Sequence, residues 1–104
     1  MWFTANLLFK SNHPDHPEDE FFWEERVFLR SAETADEARQ KGERIGKSQE
    51  HEYIAANGDR DRWTFERVES TFAIDSETIS DRTDVFSRFL SSSEVESILS
   101  PFTE

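Results

Sequence analysis

The sequence predicts an α+β domain: an antiparallel sheet of four to five strands in β-β-α-β-β-β-α order, one main helix packed on one face, and a short C-terminal helix. Three observations predict it. Apolar residues alternate with a period of two in several short stretches, the periodicity of half-buried strands. A single stretch, SAETADEARQKGERIGKSQE, carries a long helical pattern. A chain of 104 residues without cysteine makes one domain, large enough to bury a core without disulfides.

Taken in order, Trp2–Lys10 sets Phe3, Ala5, Leu7 and Phe9 against Trp2, Thr4, Asn6 and Leu8, a strand with both faces partly apolar. A polar loop containing Pro14 and Pro17 leads to a second strand over Phe21–Arg30. There Trp23, Val27 and Leu29 share the face expected to point inward, with Glu24, Arg26 and Arg30 opposite. Glu25 falls on the apolar face by parity. The helix opens with Thr34 and Glu37 at capping-box spacing, where hydroxyl and carboxylate satisfy the first free amides. Ala35, Ala38, Gly42, Ile45 and Gln49 follow one stripe, with Gly46 beside them. Each glycine costs about 1 kcal/mol relative to alanine inside a helix. Close approach of the helix backbone to an aromatic-rich sheet is the expected compensation; a kink or an end near Gly42 or Gly46 is the alternative.

HEYIAANGDRDRWTFERVESTFAI reads as a hairpin, with Asn57-Gly58 supplying both positive-φ positions of a type I′ turn. In its returning arm Trp63 and Phe65 have the opposite parity to Val68, Phe72 and Ile74. A β-bulge near Glu66–Arg67 would bring both groups to one face. DVFSRFL reads as one more short extended segment. Ser93 with Glu96 reads as the capping box of a terminal helix whose Val95, Ile98 and Leu99 face inward.

Charge and termini bound the function. A net charge of −11 and a pI near 4.6 argue against direct binding to a phosphate backbone. The acidic excess is spread along the chain; it favours solubility and suits a basic protein partner. MWFTANLLFK is apolar but lacks a basic leader and falls short of the ~20 residues that span a bilayer. The expectation is a cytoplasmic protein with no membrane association and no cofactor, in keeping with the absence of cysteine.

Three constellations are candidates for chemistry. HPDHPEDE at 13–20 places two histidines and four carboxylates within eight residues. Its prolines favour extended geometry, which holds His13 and His16 roughly 9 Å apart along the backbone, so a shared metal is disfavoured. The second is a polar cluster on strands: Glu25, Glu66, Arg67 and Asn6, flanked by Trp2, Trp23 and Trp63. A carboxylate at an inward position must be paired or protonated. The cluster reads either as a cross-strand Glu–Arg pair or as a ligand or acid–base site. No nucleophile motif, phosphate loop or metal-binding helix accompanies it, so no catalytic residue is assigned. The third is the aromatic load of ten Phe, three Trp and one Tyr, more than one helix can cover. A homodimer or another protein partner would cover the remainder. The leading expectation is therefore a small acidic protein-interaction domain, immunity-protein or antitoxin-like. A small-molecule binder or enzyme centred on the Glu/Arg cluster is the alternative.

Several landmarks occur together: WFTANLLF, the glutamate of EERV, the alanine-bearing helix, YIAANGD followed by WTFERV, and DRTDVFSR. In this order, over most of residues 2–89, they resemble a family of small, mostly bacterial proteins known as domain of unknown function 4288. The pattern expected of that family near the end is D-G-T-E-V-F-S, from which Arg82 and Asp84 depart. The resemblance implies a single-domain fold and a bacterial origin, and no activity.

Overall fold

The computed structural model describes residues 1–18 and 21–100. They form β1 (Trp2–Asn12), β2 (Trp23–Ser31), α1 (Ala35–Ser48), β3 (His51–Ile54), β4 (Arg60–Ala73) and α2 (Ser92–Leu99). The strands make one antiparallel sheet in the order β2-β1-β4-β3. β1, apolar on both sides, occupies an interior position where both sides can be used.

α1 packs on one face. Beneath it Phe3, Ala5, Leu7 and Phe9 are buried, joined by Val68 of β4 and Ala38 of the helix. The glycines explain why the helix lies so low. A Cβ on Gly42 would stand 3.2–3.3 Å from the methyl groups of Val68 and Ala5, and one on Gly46 would overlap the Phe65 ring. Thr34 caps α1, its Oγ1 accepting from the Glu37 amide at 3.1 Å. The Glu37 carboxylate accepts from the Glu33 amide at 3.1 Å, one residue before the cap.

The β2 face is the reverse of the expected one. Register pairs Ala5 with Phe28 and Leu7 with Arg26, so the even residues of β2 lie under α1. Trp23, Val27 and Leu29 point away from it and are exposed. Arg26 serves as an apolar lid here: its guanidinium lies 5.6 Å and 4.9 Å from the rings of Phe9 and Phe28, while its Nη1 donates to Gln49 Oε1. Delocalised and weakly hydrated, arginine tolerates that position.

β4 carries two irregularities rather than one. The register skips Glu66, between Phe65 and Arg67, and again Glu69, between Val68 and Ser70. The first brings Phe65 and Val68 to the α1 side; the second returns Ser70 and Phe72 to the opposite side, contrary to a single face for all. Groups near the bulges are bonded outside the ladder: Arg39 Nη1 donates to the Val68 carbonyl at 3.0 Å, and Glu50 accepts from the Phe65 amide at 3.0 Å.

Three local expectations are also corrected. Only Gly58 of the hairpin loop has positive φ, at 88°, so the turn is not type I′. The Ala55 carbonyl accepts from Gly58 N, and Ala55 N donates to Asp59 O, giving a type I turn followed by a left-handed glycine. Asn57 contributes its Oδ1, which accepts from the Asp59 amide. Residues 84–90 join no strand, leaving the sheet at four. α2 is capped by Ser91 with Glu94, two residues before the expected pair, in a complete capping box. Its Val95, Ile98 and Leu99 are exposed. Arg82, at the position where a glycine was expected, takes φ 68° in the Ser80–Thr83 turn, the left-handed region that glycine enters at no steric cost.

Candidate functional site

The sheet face opposite α1 gathers most of the residues singled out in the sequence. At one end the segment after β4 crosses it: Thr4 Oγ1 donates to the Val85 carbonyl at 3.0 Å, and Phe86 meets Phe72 edge-on at 5.9 Å. The remainder is open. Trp23 is 57%, Val27 52% and Leu29 45% exposed, all on β2, whose outer edge has no paired strand among the described residues. The half-buried Leu8 of β1 lies between Glu25 and Arg67 in the register and extends the apolar strip.

The expected cluster divides into three places. Asn6, Trp23, Glu25 and Arg67 share the open face by register. Asn6 is buried, and its Nδ2 donates to Glu25 Oε2 at 3.5 Å, a long and weak bond. Asn6 Oδ1 and Ser70 Oγ, on register-paired residues, are buried without hydrogen-bond partners. Glu25 and Arg67 form no ion pair among the described residues. Trp2 is on the same face at the far end, beside a shallow depression with Ile74, Asp75 and Glu77. Trp63 is on the opposite side, packed against the core beneath α1. Glu66 sits at its bulge and lines an open groove with Arg67, Arg39, Glu43 and Phe65. Glu66 and Arg67 thus share one groove, and Glu25 does not line it.

Sequence reasoning missed Lys10. Its Nζ lies 3.9 Å from the Phe21 ring centre and 5.5 Å from that of Trp23, a cation held over two exposed aromatic rings. Arg62 and Arg67 share that face by register, with Glu25 and Glu52 as the acids. In a chain of net charge −11 this is a locally basic margin. The available signal was the alternation of β1 itself, which sets Lys10 in line with Asn6 and Leu8.

The histidine loop is fastened to the hairpin. His13 Nδ1 lies 2.6 Å from Asp61 Oδ1, and His16 Nε2 lies 2.9 Å from Asp59 Oδ2. Asp15 accepts from the backbone N, Nε and Nη2 of Arg60 at 2.8–3.1 Å. These side-chain and backbone bonds from Arg60 hold the Asp15 carboxyl below its ordinary range. The two histidines therefore face different carboxylates. No group of three His, Asp or Glu side chains among the described residues could hold a metal ion. Asp19 and Glu20, the end of the HPDHPEDE stretch, lie outside the described residues.

No helix among the described residues is long and apolar enough to cross a membrane. No curated protein and no solved structure matches the chain. A family model does match, over residues 2–87, and that span holds the whole sheet, α1 and the segment crossing the open face. It includes the landmarks from WFTANLLF to DVFS, so the chain belongs to the family described as domain of unknown function (DUF4288).

Proposed function

We propose that the protein is a small, non-catalytic protein-interaction domain of the cytoplasm, working through the open face of its sheet. One observation carries this reading: Trp23, Val27 and Leu29, on same-face positions of an edge strand, are all about half exposed. Large apolar side chains along one strand face, interrupted by Glu25 and flanked by Lys10 and Arg67, have the composition of a binding surface, with tryptophan a favoured anchor. The acidic excess over the rest of the chain would draw in a basic partner at long range, the immunity-protein or antitoxin-like form of this role. The alternative, a ligand site or enzyme built on Glu25, Glu66 and Arg67, has less support because Glu25 lies outside the shallow groove that Glu66 and Arg67 share.

Val27→Glu tests the reading without touching the core. Crosslinking in the native host followed by mass spectrometry should recover a stoichiometric partner, whether another chain or a second copy, with the wild type and not with the variant. Equal recovery with both proteins would sink the open face as the binding surface.

A further inference from the structure

Among the described residues a second apolar surface has no partner. Val95, Ile98 and Leu99 of α2 are spaced i, i+3 and i+4, which puts them on one stripe. α2 has no buried residue and touches neither the strands nor α1. The approach to it exposes Phe89 fully and Leu90 in part. A helix of eight residues is well below the ~12–15 that hold together alone in water, even with a complete capping box. It needs a surface to lie against.

We propose that this surface is the open sheet face of a second copy, so that two chains form a homodimer by exchanging C-terminal arms. The proposal rests on the interaction-face reading above and names its partner. Charge favours the match: α2 carries Glu94 and Glu96 and no base, whereas on the receiving face Lys10, Arg62 and Arg67 outnumber Glu25 and Glu52. Stoichiometry favours it as well. Each copy has one arm to donate and one face to receive, so both are satisfied in a closed two-fold pair. The Thr4–Val85 bond and the Phe72–Phe86 contact pin the base of the arm to its own sheet, beyond which α2 stands clear of that sheet. Two reciprocal arms, each bringing Phe89, Leu90, Val95, Ile98 and Leu99 onto the strip of Leu8, Trp23, Val27 and Leu29, build toward the ~1,200 Å² of a stable interface. The arm lies beyond residue 87, where the family match ends, so the exchange is an addition to the shared domain.

The chain contains no cysteine, which makes crosslinking unambiguous. Sedimentation equilibrium of the full chain should give twice 12.2 kDa. Ile98→Glu should shift it to monomer with the thermal midpoint of the dilute wild type. Separately purified Val27→Cys and Ile98→Cys proteins, mixed and oxidised, should give a mixed disulfide in preference to either homodisulfide. A dimer unaffected by Ile98→Glu would overturn the exchange. So would a double Val27→Cys/Ile98→Cys chain that closes its disulfide within one monomer, because α2 would then cover its own sheet. A monomer that still captures a different protein in a Val27-dependent way sinks the exchange and leaves the interaction face standing. A monomer with no Val27-dependent partner sinks both.

Discussion

Gly42 and Gly46 lie one turn apart on the same helix, yet their surroundings set different limits. A β-carbon at position 46 would sit on the Phe65 ring, which is itself packed against Phe9 at 5.7 Å between centroids. The ring could yield only by swinging into the open groove it lines and giving up its contact with Phe9. Gly46→Ala should lower stability by about 1–3 kcal/mol through overpacking, despite the roughly 1 kcal/mol by which alanine favours a helix. At position 42 the nearest neighbours are methyl groups at 3.2 and 3.3 Å, which need shift only by tenths of an ångström. Gly42→Ala should therefore stay within about 1 kcal/mol of the wild type, propensity offsetting crowding. Urea unfolding of both variants checks the pair, and equal destabilisation would contradict this account. The helix-to-sheet approach was legible in the sequence because two glycines in one helical stripe demand compensation. Which glycine is tighter was not legible, since that depends on a ring brought in by β4.

At the scale of elements, the loop between β1 and β2 shows how a conspicuous local composition acquires its role from a distant partner. His13, Asp15 and His16 meet Asp61, Arg60 and Asp59 because β1 pairs with β4, which brings the loop leaving β1 beside the start of β4. Neither segment's own pattern announces the pairing. The type I turn was hidden for a related reason: Asn-Gly fits two turn families, and the Ala55–Asp59 closure decides between them. Asp15 makes the clasp testable by pH. Its carboxyl is held below the ordinary 3.8 by bonds that only the folded chain makes. The folded state therefore binds this proton less readily than the unfolded state. The contribution is fully present above 3.8 and is lost as pH falls through the lowered folded value. Asp15→Asn should be less stable than the wild type at neutral pH, with the difference shrinking in acid well below 3.8. Urea midpoints at the two pH values measure it; a difference independent of pH would assign the loss to packing instead. The carboxylate is exposed, so the effect is expected to be small and to weaken with salt.

For the whole molecule, the decisive fact is how unevenly burial is distributed. The core is a layer between α1 and one face of the sheet, with Leu7 and Phe9 at its centre, while β2's outward face and all of α2 remain exposed. A radius of gyration of 16.5 Å exceeds the ~13 Å of a compact chain of this length. Periodicity revealed both apolar stripes of the sheet and the stripe of α2; binary pattern assigned the β2 and α2 stripes to the interior, while the aromatic excess left part of the apolar surface to a partner. A pattern states that a face is apolar; it does not state which neighbour covers it. With one long helix available, α1 settled over Phe3, Ala5, Leu7 and Phe9, and the strip of Trp23, Val27 and Leu29 was left over. Stability should follow this partition. Leu7→Ala should cost about 2–5 kcal/mol, the range for emptying a fully buried leucine site. Leu99→Ala should leave the unfolding of a dilute sample within about 0.5 kcal/mol, since among the described residues α2 packs against no strand and not against α1. Hydrogen exchange separates the two regimes further. Amides of β1 should open only with global unfolding, whereas those of α2 in dilute protein should exchange nearly as fast as an unstructured peptide. Raising protein concentration should slow exchange in α2 and not in β1, because only α2 gains its packing partner from a second molecule. Protection in α2 that is already high at dilution and independent of concentration would mean that the helix finds its support within one chain.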